Sequence, residues 1–127
     1  MWTLNRAEGL GLRAEGLELR ETRRIAPEEL AARVAAGTAP CTIDVRSKAE
    51  FEEGHVPGAF HIPFWQMVAR WREVPVAHDA DVVVYCGHGP RAYMAGSILK
   101  RHGFTGVRYL TGHMKKWREL NLPVEGK

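Results

Sequence analysis

The sequence predicts an α/β fold in which a central parallel β-sheet carries helices on both faces, and three observations support that prediction. Residues 82–85 read Val-Val-Val-Tyr, apolar without alternation and rich in β-branched side chains, which suits a parallel strand covered on both sides. Strand-like and helix-like stretches alternate along most of the chain, the pattern of a parallel sheet with crossover helices. Finally, 127 residues with 45% hydrophobic content suit one domain around a single sheet, leaving little room for a second catalytic domain.

The elements follow in order. Two near-copies of seven residues open the chain, RAEGLGL at 6–12 and RAEGLEL at 13–19. Leu17 and Leu19 alternate with charged neighbours as in an edge strand, and the glycines argue against a helix. The pair suggests no function, so residues 1–24 are read as an N-terminal extension of unassigned role and 25–127 as the domain. Pro27-Glu28-Glu29-Leu30 is a helix start, and a helix over 27–36 is predicted. A strand at 41–45, a short helix near 48–53 and a helix at 64–72 come next. Then come a strand at 82–86, a helix at 91–102, a strand at 107–110 and a helix at 113–120. Met94, Ala95, Ile98 and Leu99 have helical spacing, with Gly103 as a C-cap. Trp65, Trp71 and Trp117 sit at helical positions and are read as packing rather than binding residues.

Residues 81–91, DVVVYCGHGPR, carry the chemistry. The hydrophobic strand ends at a lone cysteine, a Gly/Pro loop follows, and Arg91 opens a helix. Lys100, Arg101 and His102 lie in that helix's last turn, where cations stabilise it, whereas Arg91 lies in the first turn, where a cation is unfavourable. Something other than helix stability therefore explains Arg91. Backbone amides of a tight loop entering a helix form a concave donor nest that favours an anion or a thiolate, and Arg91 adds a forked donor. Cys86 is thus a candidate nucleophile. Its competing reading is a cysteine that merely fills the core. Gly87 and Gly89 permit the positive φ values a cradle needs. Pro90 has no N–H to offer but suits the first helical position.

The chain resembles the rhodanese-like sulfurtransferases over about residues 25–125. Ile43-Asp44-Val45-Arg46 is similar to the family's Asp-Val-Arg strand, and residues 50–59, EFEEGHVPGA, to its Gly-His-Ile-Pro-Gly-Ala signature, which His61-Ile62-Pro63 continues. Tyr85-Cys86 with Gly89 and Arg91 resembles the active loop of single-domain members, and Tyr109-Leu110-Thr111-Gly112 through Trp117 their closing segment. The resemblance implies a rhodanese-like fold and a two-step sulfur transfer. Cys86 takes the outer sulfur of a small anionic donor such as thiosulfate as a persulfide. A thiol, a dithiol or cyanide then removes it, and a sulfur-carrier protein is a further partner class. Amides of Gly87, His88, Gly89 and the loop around Pro90 would hold the persulfide while Arg91 steadies the donor. Residues 86–91 number six, whereas related phosphatases and arsenate reductases carry seven, so the shorter cradle favours sulfur. Ala92 and His113 depart from the pattern, standing where many relatives have Ser and a second Gly.

Other classes fit less well. The net charge is +3, but Lys and Arg are scattered without a basic, aromatic-interleaved stripe, so nucleic acid is not expected as a partner. His55, His61, His78, His88, His102 and His113 show no zinc-ligand spacing with the cysteines, so neither a metal nor another cofactor is expected. His55 and His61 are read as structural hydrogen-bonding groups. For His88 two readings stand, contact with donor or acceptor and exposure to solvent. Asp44 and Arg46 could support catalysis, but a structural ion pair is the favoured reading. About four residues of strand rise, at roughly 3.3 Å each, separate Cys41 from Cys86, so no disulfide is expected. Cys41 is read as a structural thiol, with a resolving role as the alternative. No stretch is long and apolar enough to span a membrane and no signal-peptide core opens the chain, so a reducing cytoplasm is the expected location. A non-catalytic rhodanese-like binding or regulatory module is the alternative function, followed by a phosphatase or arsenate reductase, which the six-residue loop disfavours.

Overall fold

The computed structural model describes residues 23–126. Within them lie strands β1 (Arg24–Ile25), β2 (Cys41–Asp44), β3 (Phe60–His61), β4 (Asp81–Tyr85) and β5 (Gly106–Leu110), all parallel, in the order β1-β5-β4-β2-β3. The helices are α1 (Pro27–Ala36), α2 (Lys48–Glu53), α3 (Met67–Arg70), α4 (Pro90–Arg101) and α5 (His113–Glu119).

The unbroken apolar run of β4 has a direct cause. Val82 and Val84 point to one face, where they pack with Ile43, Leu99 and Phe104, and Val83 and Tyr85 point to the other, against Leu30, Met114 and Trp117. Both faces of the strand are therefore core, and α4 covers one while α1 and α5 cover the other. Strand alternation of side chains makes this arrangement readable as a continuous hydrophobic segment.

The three longer strands and four helices fall within a residue of their expected limits. The segment expected as a helix at 64–72 instead divides into a 3₁₀ turn at Phe64–Gln66, α3, and a second 3₁₀ turn at Trp71–Glu73. Pro63 and Pro75 bracket it, so both ends tighten into i→i+3 turns. Trp117 is buried and Trp71 packs on the core, but Trp65 is 56% exposed, which corrects its reading as a packing residue. Its 3₁₀ turn does not have the 3.6-residue period that would turn it inward. Arg24 and Ile25 pair with Tyr109 and Leu110, so the first strand among the described residues begins at Arg24. The seven-residue near-copies lie outside the described residues. Cys41 sits opposite Val82, four residues before Cys86, and both thiols are free. No described helix is long and apolar enough to cross a membrane.

Candidate functional site

The site lies beyond the carboxyl end of β4, the usual binding edge of an open parallel sheet. The Tyr85 carbonyl accepts from Val45 N, the last link to β2. At Cys86 the chain leaves the sheet, and α4 starts with Pro90 at its first position. The turn is closed by the Gly89 amide donating to Cys86 Sγ at 2.9 Å. Gly89 adopts φ 142, closed to ordinary side chains. Gly87, in contrast, does not use a positive φ. A Cβ there would stand 3.1 Å from Arg91 Nη2, so the position needs a small residue for space.

Two carbonyls of the turn are held from outside by α5. Met114 N donates to the Cys86 oxygen at 2.9 Å and Lys115 N to the Gly87 oxygen at 3.0 Å. The Cys86 amide, in turn, donates to Nδ1 of His113 at 3.2 Å. Cys86 is itself fully buried. Gly87, His88 and Arg91 line a cavity of about 710 Å³ together with Arg46, Glu50, Lys115 and Arg118. His88 is exposed and lines this cavity.

Arg91 has a carboxylate partner that the sequence reading did not include. Its guanidinium lies against Gly87, but both terminal nitrogens are bonded to Glu50, at 2.7 and 3.2 Å. Glu50 is held twice, because its Oε1 also accepts from Ser47 N in the capping box that starts α2. Lys115 pairs with Glu119, and Arg118 has no carboxylate partner among the described residues.

Asp44 and Arg46 are brought together beneath the loop as a buried pair. Arg46 Nη2 donates to Asp44 Oδ2 at 2.8 Å and to the Gly54 carbonyl at 2.7 Å, and both side chains are at most 1% exposed. Tyr85 hydroxyl accepts from Val56 N, joining the same network, and burial pushes its pKa up. His55 bonds the Phe51 carbonyl and His61 that of Arg46, both rings stacking on Phe51. Arg46 also lines the cavity.

Sequence reasoning missed two residues. Glu50 was visible only as a member of a motif, and His113 only as one histidine among six standing where relatives have Gly. That unusual identity next to Gly112 was the available signal.

The electrostatics give a pH prediction. Burial, reinforced by His88 and Arg24, lowers the His113 pKa from 6.5 to about 4. The hydrogen bonds from Arg91 lower that of Glu50 from 4.5 to about 2. In both cases the unfolded chain binds the proton more tightly, so acid favours unfolding. Stability is expected to fall from pH 6.5 towards 4 through His113 and from 4.5 towards 2 through Glu50. Urea midpoints measured against pH check this, because His113→Asn should flatten the upper range and Glu50→Gln the lower.

Comparison with known proteins agrees with this geometry. The family model of the rhodanese-like domain matches residues 26–120. A sulfurtransferase of Allochromatium vinosum is 34% identical over 97 residues, covering 76% of this chain and 89% of its own. The human single-domain sulfurtransferase TSTD1 superposes with a TM-score of 0.65 at 26% identity, over 76% of this chain and 96% of that one. A tRNA uridine(34) hydroxylase of Escherichia coli is 36% identical over 90 residues, but the match covers 65% of this chain and only 26% of that protein. With a parallel sheet, a cysteine at the end of its central strand and a family match over most of its length, the chain belongs to the rhodanese-like domain family.

Proposed function

We propose that the protein is a sulfurtransferase that moves sulfane sulfur from an anionic donor such as thiosulfate to a thiophilic acceptor through a Cys86 persulfide. The observation that carries this reading is the Gly89 amide on Cys86 Sγ, inside a turn whose Gly87, His88 and Arg91 line a cavity. A donor at sulfur stabilises negative charge there. The thiolate attacks the outer sulfur of thiosulfate, the S–S bond breaks, and sulfite leaves with the electron pair. Cyanide or a thiolate then attacks the outer sulfur of the persulfide, and the Cys86 thiolate leaves. No external oxidant or reductant is needed. The names of the relatives support a transferase at family level.

Arg91 contributes positive charge at the rim while Glu50 holds it against Gly87. Removing it leaves the Glu50 carboxylate facing the donor, so Arg91→Ala is expected to lower kcat/KM for thiosulfate about 10- to 100-fold. Arg118 acts at longer range across the cavity, and Arg118→Glu should raise KM about three- to tenfold with kcat nearly unchanged. Both effects should shrink in high salt.

One observation favours the alternative of a non-catalytic binding module, the complete burial of Cys86. Thiocyanate release from thiosulfate and cyanide by the purified protein tests the two readings. Turnover supports the transferase. Its absence with both thiosulfate and 3-mercaptopyruvate as donors favours the module.

A further inference from the structure

His113 has an unusual combination of properties. It adopts φ 54, a left-handed backbone uncommon for residues other than Gly, among which Asn, Asp and His are enriched. It follows Gly112, also left-handed at φ 74, and it is only 3% exposed. Nothing in α5 requires a histidine at its start, since the bonds from Met114 N and Lys115 N to the turn are backbone bonds that any side chain would permit. What only a side-chain acceptor at position 113 supplies is a partner for the Cys86 amide, which is otherwise a buried donor beside the reactive sulfur.

The imidazole also reaches the other end of the turn. A Cβ on Gly89 would stand 3.6 Å from His113 Nε2 and 3.3 Å from Tyr93 Cε2. The Tyr93 ring meets the imidazole edge-on, with centroids 5.7 Å apart. His113 is therefore bonded to Cys86 and lies beside Gly89, the two residues joined by the closing bond of the turn, Gly89 N to Cys86 Sγ. The groups facing it are His88 of the loop, Tyr93 of α4 and Arg24 of β1. Burial, with His88 and Arg24, disfavours a positive imidazole, and the Cys86 N–H aimed at Nδ1 selects the tautomer in which that nitrogen accepts.

We propose that His113 is a positioning residue of the sulfur-transfer loop: its Nδ1 accepts the Cys86 amide hydrogen, fixing the Cys86 peptide plane so that Sγ faces the Gly89 amide. The role deepens the sulfurtransferase reading and rests on it for its chemical consequence.

Two substitutions separate this role from simple filling of space. In Asn, Oδ1 occupies the place of the histidine Nδ1, and Asn tolerates the left-handed backbone. Phe keeps the ring and volume and has no acceptor. Wild type, His113→Asn and His113→Phe are compared in thiocyanate formation, in exchange of the Cys86 amide hydrogen followed by NMR, and in melting temperature. His113→Asn is expected to keep the Cys86 amide protected and most of kcat. His113→Phe is expected to speed that exchange and to lower kcat about tenfold, the worth of one lost hydrogen bond, with KM nearly constant. Because φ 54 disfavours Phe whatever its hydrogen bonding, melting temperature does not decide between the two roles, and a Cys86 amide as protected in His113→Phe as in wild type, with kcat unchanged, overturns the proposal. If His113→Phe does not fold, the decision falls on the wild type and His113→Asn. An unprotonated Nδ1 in the wild-type imidazole nitrogen spectrum and a protected Cys86 amide in both proteins are required, and either one missing sinks it. A wild type without sulfur transfer but with this hydrogen bond present contradicts the transferase reading and leaves the brace standing.

Discussion

Cys86→Ser is expected to abolish sulfur transfer, lowering turnover with thiosulfate and cyanide on the order of a thousandfold or more, as loss of a covalent nucleophile does. The hydroxyl is a near-isostere that can still accept the Gly89 amide. It is not ionised near neutral pH and does not carry a sulfur atom between donor and acceptor. The fold should survive, so the loss is chemical. Cys41→Ser provides the contrast. Cys41 pairs with Val82 at the start of β2, about four strand rises of roughly 3.3 Å from Cys86, and burial raises its pKa. Activity should persist in that variant, and thiocyanate release in the two variants checks both halves. Comparable loss in Cys41→Ser would assign it the resolving role that its distance argues against.

The second large effect concerns stability. Arg46→Ala leaves Asp44 as an uncompensated buried carboxylate and deprives the Gly54 carbonyl of its donor. Breaking one side of a buried pair costs about 3–5 kcal/mol. In a domain of this size that corresponds to a fall in melting temperature on the order of 10 °C or more. The KM for thiosulfate should change far less, because the guanidinium is spent on Asp44 and Gly54. Calorimetry and steady-state kinetics on the same preparation check this. A large rise in KM with an unchanged melting temperature would instead make Arg46 a donor-binding residue.

Much of this architecture can be read from the chain because its signals are local. Val82 to Tyr85 face core on both sides of the sheet, so the strand shows as an apolar run. The turn from Cys86 to Arg91 is marked by Gly89, which needs its positive φ, and by Pro90 at the helix start. β1 and β3 are two residues each, too short for any periodicity, and owe their strand geometry to pairing with β5 and β2. Trp65 was misread because its segment is a 3₁₀ turn rather than a continuous helix. Glu50 on Arg91 and His113 on Cys86 are contacts between residues 41 and 27 positions apart, which no local pattern encodes. The carboxylate partner of Arg91 was therefore not legible in the sequence.

The central claim is that Cys86 carries the sulfur, and the most direct test is the intact mass of the protein before thiosulfate, after it, and after subsequent cyanide, in wild type and Cys86→Ser. The account predicts that wild type gains the mass of one sulfur atom with thiosulfate, loses it with cyanide, and that Cys86→Ser shows neither change. A sulfur adduct that persists in Cys86→Ser, or a wild type that gains no sulfur from either thiosulfate or 3-mercaptopyruvate, would contradict it.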